Sequence, residues 1–171
     1  MIKLIGSALV IMATSAIGFQ LARAYRERPR ELQLLIEALR ILRADIEYMA
    51  TPLPQALANV TTRLAKPLNV LLGTTAEALA RSDVTVGEAL AAGIEACRPQ
   101  AHLLESDYEA LALFGRTLGT SDLLHQSQQF EATIVQLESI QKEAEEAKRR
   151  YERMWQYIGV LTGLFIVILL Y

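Results

Sequence analysis

Residue types able to do covalent or metal chemistry are sparse in this chain. It has one cysteine, Cys97, and two histidines, His102 and His125. A lone cysteine builds neither an internal disulfide framework nor a cysteine zinc site. The histidines lack any metal-ligand spacing, so each reads as an ordinary polar residue. There is no phosphate-cradling Gly-Lys-Ser/Thr loop, no His-Glu-x-x-His pair and no Gly-x-Ser-x-Gly elbow. Glu143, Glu145 and Glu146 crowd the basic run Lys148-Arg149-Arg150 and read as salt-bridging helix surface rather than as an acid/base pair. Cys97 as a nucleophile would need a neighbouring base that no motif supplies. The expectation is a protein that is not an enzyme, with no catalytic residue, cofactor or metal.

Interaction chemistry is better represented. Gly159 and Gly163 form a Gly-x-x-x-Gly pattern inside an apolar run, the spacing that lets a second helix approach closely. Thr14, Gly18 and Ala22 make a similar small-residue ridge near the other end. Pairing of these ridges within one chain and homo-oligomerisation through them are both open. Arginines and lysines flank each ridge: Arg23, Arg26 and Arg28 follow the first, and Lys148, Arg149, Arg150 and Arg153 precede the second.

These ridges lie in two apolar ends. Residues 154–171 carry no charge, and eighteen helical residues span roughly 27 Å, about the hydrocarbon thickness of a bilayer. Trp155 and Tyr157 at one end and Tyr171 at the other suit the two interfaces. Residues 4–22 are also uncharged. A cleaved signal peptide is the rival reading, opposed by the length of the run and by arginines that follow it instead of preceding it. Basic residues mark the cytoplasmic side, so both clusters place both tips outside and the middle in the cytoplasm. The expected division is 1–25 as an N-terminal transmembrane helix, 26–153 as a cytoplasmic domain and 154–171 as a C-terminal transmembrane helix. All 19 acidic residues and 16 of the 17 basic ones fall within 23–153. That acidic balance is a poor match for nucleic acid, whose phosphates demand a basic face.

Within the middle, Leu32, Leu35, Ile36, Leu39, Leu42, Ile46 and Met49 form one apolar helix face after Pro29. Thr51, Pro52, Leu53 and Pro54 stop that helix and start the next, with Thr51 a candidate N-cap and the start movable by a residue or two. Residues 68–81 repeat the apolar pattern. Thr85 and Glu88 have capping-box spacing and open a helix that runs to Cys97 before Pro99. Ser106 and Glu109 offer a second box, opening a helix that closes at Leu118 and Gly119, the glycine taking the left-handed position. Thr120, Ser121 and Asp122 then start a last helix running unbroken into the tail, with Phe130, Leu137, Ala144, Tyr151 and Ile158 recurring every seven residues. No strand-like alternation occurs. The fold class is all-α, a multi-helix bundle of about six helices between two transmembrane helices.

The order of these features (an N-terminal span, Thr-Pro-Leu-Pro at 51–54, Leu-Gly-x-Ser-Asp at 118–122, an uncharged tail) resembles the stage III sporulation protein AB family over nearly the full chain. The middle also resembles a single type II secretion F-type domain, with residues 51–57 and 113–122 on that domain's recurrent helix starts and turns. Platform proteins of that kind carry two such domains and three spans, so their activity is not carried over whole. The resemblance implies a structural or adaptor component of the channel-like complex joining mother cell and forespore in endospore formation. It implies residence in the outer forespore membrane, a domain facing the mother-cell cytoplasm, and as partners a cytoplasmic secretion-type ATPase and the other stage III sporulation channel proteins. Thr51, Pro52, Leu53, Pro54, Leu118, Gly119, Ser121 and Asp122 are the candidate interface, though capping and turning alone also account for them. A pilus or secretion platform subunit is the alternative, and a membrane-bound ligand sensor or enzyme a remote one.

Overall fold

The computed structural model of the chain describes residues 2–81, 83–118 and 123–170, with side chains placed at 6, 9, 12–81, 83–118 and 126–169. The described residues form six helices and no strand: α1 (Ile2–Met49), α2 (Leu53–Thr61), α3 (Leu68–Ala80), α4 (Val86–Cys97), α5 (Glu105–Leu118) and α6 (Leu123–Leu170). They fall into two compact units, one of Met1–Pro29 with Glu143–Tyr171, the other of Arg30–Lys142. The charged stretch 143–153, expected with the central domain, belongs to the first unit.

The apolar stripe expected after Pro29 does not start a new helix. Pro29 lies inside α1, which continues on both sides. A proline withholds one amide from the i−4 carbonyl, and the neighbouring turns keep their own bonds. Within Arg30–Lys142 this stripe is the spine of a bundle: Leu32 and Leu35 are fully buried, and Ile36, Leu39 and Leu42 nearly so. α2 packs on α3, α3 on α4 and α4 on α5. Leucines 35, 39 and 42 of α1 share an apolar interior with Leu57, Leu71, Leu72, Leu90, Leu111 and Phe114. Phe114 meets Phe130 of α6 edge to face, with ring centroids 5.0 Å apart. The α3–α4 contact is the closest: a Cβ added to Gly93 would sit 2.3 Å from the Thr75 hydroxyl oxygen and 2.4 Å from the Leu71 carbonyl. Only glycine fits there. On the rim, Arg40 pairs with Glu138, and Arg43 with Glu47 and Glu131.

Helix ends follow local chemistry. The Thr85–Glu88 capping box is formed, with the Thr85 hydroxyl accepting from the Glu88 amide and the Glu88 carboxylate accepting from the Thr85 amide. Two expected caps are corrected. Thr51 does not cap α2. The first helical bond runs from the Ala56 amide to the Pro52 carbonyl at 3.0 Å, putting Pro52 at the cap position with no side-chain bond. Pro54 then fits the first turn, where amides lack partners anyway. α5 starts before Ser106, because the buried Asp107 carboxylate accepts from the Leu104 amide at 2.9 Å and closes the turn two residues earlier than a Ser106–Glu109 box would. α1 ends at Met49, and Ala50 after it has a left-handed φ of 50°.

The other unit is an antiparallel helix pair built on different terms. A Cβ on Gly18 would lie 2.8 Å from the Gly159 Cα and 2.8 Å from the Trp155 carbonyl oxygen, and one on Gly159 would lie 3.0 Å from the Thr14 carbonyl oxygen. Ala22 is buried along the same line, and the Tyr25 and Tyr151 rings meet at 5.6 Å. Large apolar side chains point the other way: Met12, Ile17, Phe19, Leu161, Phe165 and Ile168 are each more than half exposed.

Candidate functional site

Thr51 of the first turn motif and Leu118 of the second are linked through Gln126 at one end of the bundle. Thr51 lines a cleft with Ile46, Glu47, Ala50, Gln126, Ser127 and Phe130. Gln126 donates to the Leu118 carbonyl at 3.3 Å, which fastens the start of α6 to the end of α5. Thr51 is half-buried and Pro52 exposed, while Leu53 joins the apolar interior and Leu118 is buried. Among the described motif residues Thr51, Pro52 and Pro54 remain accessible, while Leu53 and Leu118 serve packing. Gly119, Ser121 and Asp122 lie outside the described residues, as does the left-handed turn expected at Gly119. The Glu47 carboxylate at this end is held below its usual range by the Ser127 hydroxyl and the Arg43 guanidinium.

A second constellation went unread in the sequence. Glu31, almost fully buried on α1, accepts from the His102 amide at 2.8 Å with one oxygen and faces the His102 Nδ1 at 2.8 Å with the other. Burial and the Glu31 charge push the Cys97 thiol up to about 11, so it stays protonated at neutral pH. Burial pushes the Tyr108 phenol up to about 12, with Cys97 adding to the shift. Arg98 closes the region, bonding Glu105 at 2.5 and 3.3 Å and lying 4.7 Å over the Tyr108 ring. A buried carboxylate holding a loop amide is a structural latch, tying the α4–α5 connection to α1. Its signal was legible: Glu31 lies one turn before Leu35 on the apolar stripe, where a charge needs a partner. Among the described residues no group of three His, Cys, Asp or Glu is placed to hold a metal ion.

The small-residue ridges are brought together. Gly18 and Gly159 touch through backbone, Thr14 and Ala22 lie along the seam, and Gly163 is buried. The two ridges thus pack on each other within one chain. The basic residues 23–28 and 148–153 flank the Tyr25–Tyr151 contact. Among the described residues, the helix Gln126–Leu169 is long and apolar enough to cross a membrane, its best 18-residue window averaging 1.3 in mean hydropathy with 11% buried.

The architecture thus defines a class: an all-helical bundle whose last helix continues into an apolar segment of membrane-spanning length. Within that class the chain belongs to the stage III sporulation protein AB family, whose model matches residues 3–171. It is 33% identical over 170 residues to stage III sporulation protein AB of Bacillus subtilis (strain 168), covering 99% of each chain. A solved structure of stage III sporulation protein AB (SpoIIIAB) matches it with a TM-score of 0.69 and 31% identity, over 72% of this chain and 98% of that one. The resemblance carried by the two turn motifs is thereby shown, and with it a place among sporulation proteins.

Proposed function

We propose that the chain is a non-enzymatic, membrane-anchored adaptor of the secretion-like channel between mother cell and forespore, and that its bundle docks a cytoplasmic secretion-type ATPase. Both apolar ends cross the outer forespore membrane as a hairpin, and the bundle faces the mother-cell cytoplasm beside the other stage III sporulation proteins. The observation that carries the anchor is the Gly18–Gly159 backbone contact. It pairs the N-terminal ridge with the candidate C-terminal span while large apolar side chains face outward, an arrangement that suits lipid and not water. The convergence of the Thr51–Pro54 turn with the start of α6 supports one docking end over scattered contacts.

The test is capture of the purified ATPase by the full-length chain in detergent micelles. Saturable binding is expected, weakened when Thr51 and Pro52 are both replaced by alanine while helix content is kept. A folded chain that captures no ATPase contradicts the docking role.

A further inference from the structure

We propose that the basic collar around the Tyr25–Tyr151 contact is a binding surface for anionic phospholipid headgroups, an inference resting on the membrane hairpin above. The two rings meet at 5.6 Å and so bring the arginines of α1 level with the cations of α6. Residues 23–28 and 143–153 contain seven cations (Arg23, Arg26, Arg28, Lys148, Arg149, Arg150, Arg153) against five anions (Glu27, Glu143, Glu145, Glu146, Glu152). The bundle segment 30–142 has the opposite balance, nine cations against fourteen anions. Attraction to an anionic surface is therefore concentrated in the collar.

Two of the collar's arginines sit in loose, exposed ion pairs. Arg26 approaches Glu27 at 3.6 Å and Arg149 approaches Glu145 at 3.9 Å, with the two arginine side chains 54% and 79% exposed. Exposed pairs at that separation bind their charges weakly. Arg150 lies 5.5 Å over the Tyr151 ring, which orients its guanidinium without neutralising it. The planar guanidinium fork matches phosphate oxygens two at a time. Position supplies the rest. Trp155 follows Arg153 by two residues, and no charge follows it through Tyr171, so the cations stand where the apolar surface ends and lipid phosphates begin. An acidic protein segment offers the same charge but would have to displace headgroups already at that depth.

The chain's single tryptophan, Trp155, reports on this collar directly. Full-length protein is reconstituted into vesicles of phosphatidylcholine and phosphatidylglycerol in which one lipid or the other carries brominated acyl chains, and quenching of Trp155 fluorescence is compared. At low salt the expected result is about threefold enrichment of phosphatidylglycerol at the helix pair, shrinking as salt shortens the screening length. The R149Q/R150Q/R153Q variant, with helix content unchanged by circular dichroism, should lose that preference. Equal quenching by both lipids, or a preference that survives the triple substitution, overturns headgroup selection and leaves insertion standing. No quenching by either lipid overturns the membrane hairpin and this surface with it.

Discussion

The bundle and the helix pair solve the same packing problem with opposite residues. In the bundle the large side chains go in: Leu32, Leu35, Leu71, Leu111 and Phe130 are buried, and arginines and glutamates ring the outside. In the pair the glycines go in and Phe165, Ile168 and Met12 go out. Burying leucine stabilises a fold only where the alternative is water. Where the surroundings are apolar, association comes from close van der Waals approach, and small residues permit it. This one chain is built both ways.

Gly93 is where the bundle borrows the pair's device, so it breaks first. Gly93→Ala forces α3 and α4 apart and is expected to destabilise the bundle by about 3 kcal/mol in urea unfolding followed by circular dichroism. Gly6→Ala, with nothing within 4 Å of the added carbon, should leave unfolding unchanged. If the two substitutions behave alike, close approach does not organise α3 on α4. Next comes the latch. Glu31→Ala leaves the His102 amide without its acceptor and should cost about 2 kcal/mol in the same assay, with faster hydrogen exchange confined to the α4–α5 connection.

How legible this was depended on how local the cause was. The ends of α4 could be read because Thr85, Glu88 and Pro99 act within a turn of themselves. The seven-residue recurrence of Phe130, Leu137 and Ala144 likewise marked buried positions on α6. The two turn motifs were recognisable, but that Thr51 and Gln126 share a cleft was not, because no pattern encodes a contact across four intervening helices. Glu31 and His102 stand 71 positions apart, and only the misplaced charge on an apolar stripe hinted at a partner. Thr51 looked like a cap by residue type, and the flanking prolines moved the helix start past it. Asp107 hid inside a plausible Ser106–Glu109 box whose second member mattered more than its ends.

Smaller effects sharpen the contrast through the caps and ion pairs of the bundle. Thr85→Ala removes a cap and should cost about 1 kcal/mol of bundle stability. Acid should act on the bundle through two of its carboxylates. The Thr85 amide and hydroxyl lower the Glu88 pKa, and the Arg98 guanidinium lowers that of Glu105. With folded values below the ordinary 4.5, their contributions are full above that pH and are lost as pH falls through the folded values. The Gly18–Gly159 contact, made of backbone, has nothing to titrate. Smallest is Ala50→Gly, which relieves a left-handed residue at the end of α1 and should stabilise by about 0.5 kcal/mol. A destabilisation there would mean the Ala50 methyl contributes more by packing than it costs in strain.

The central claim is that both apolar ends cross the membrane together. Its most direct measurement is a topology assay in the native membrane, with alkaline phosphatase fused in turn before Met1 and after Tyr171 and green fluorescent protein at the same sites. The account predicts phosphatase activity, which requires export, at both ends and fluorescence at neither. Activity at the C-terminal fusion with fluorescence at the N-terminal one would mean a single span, and the hairpin would be wrong.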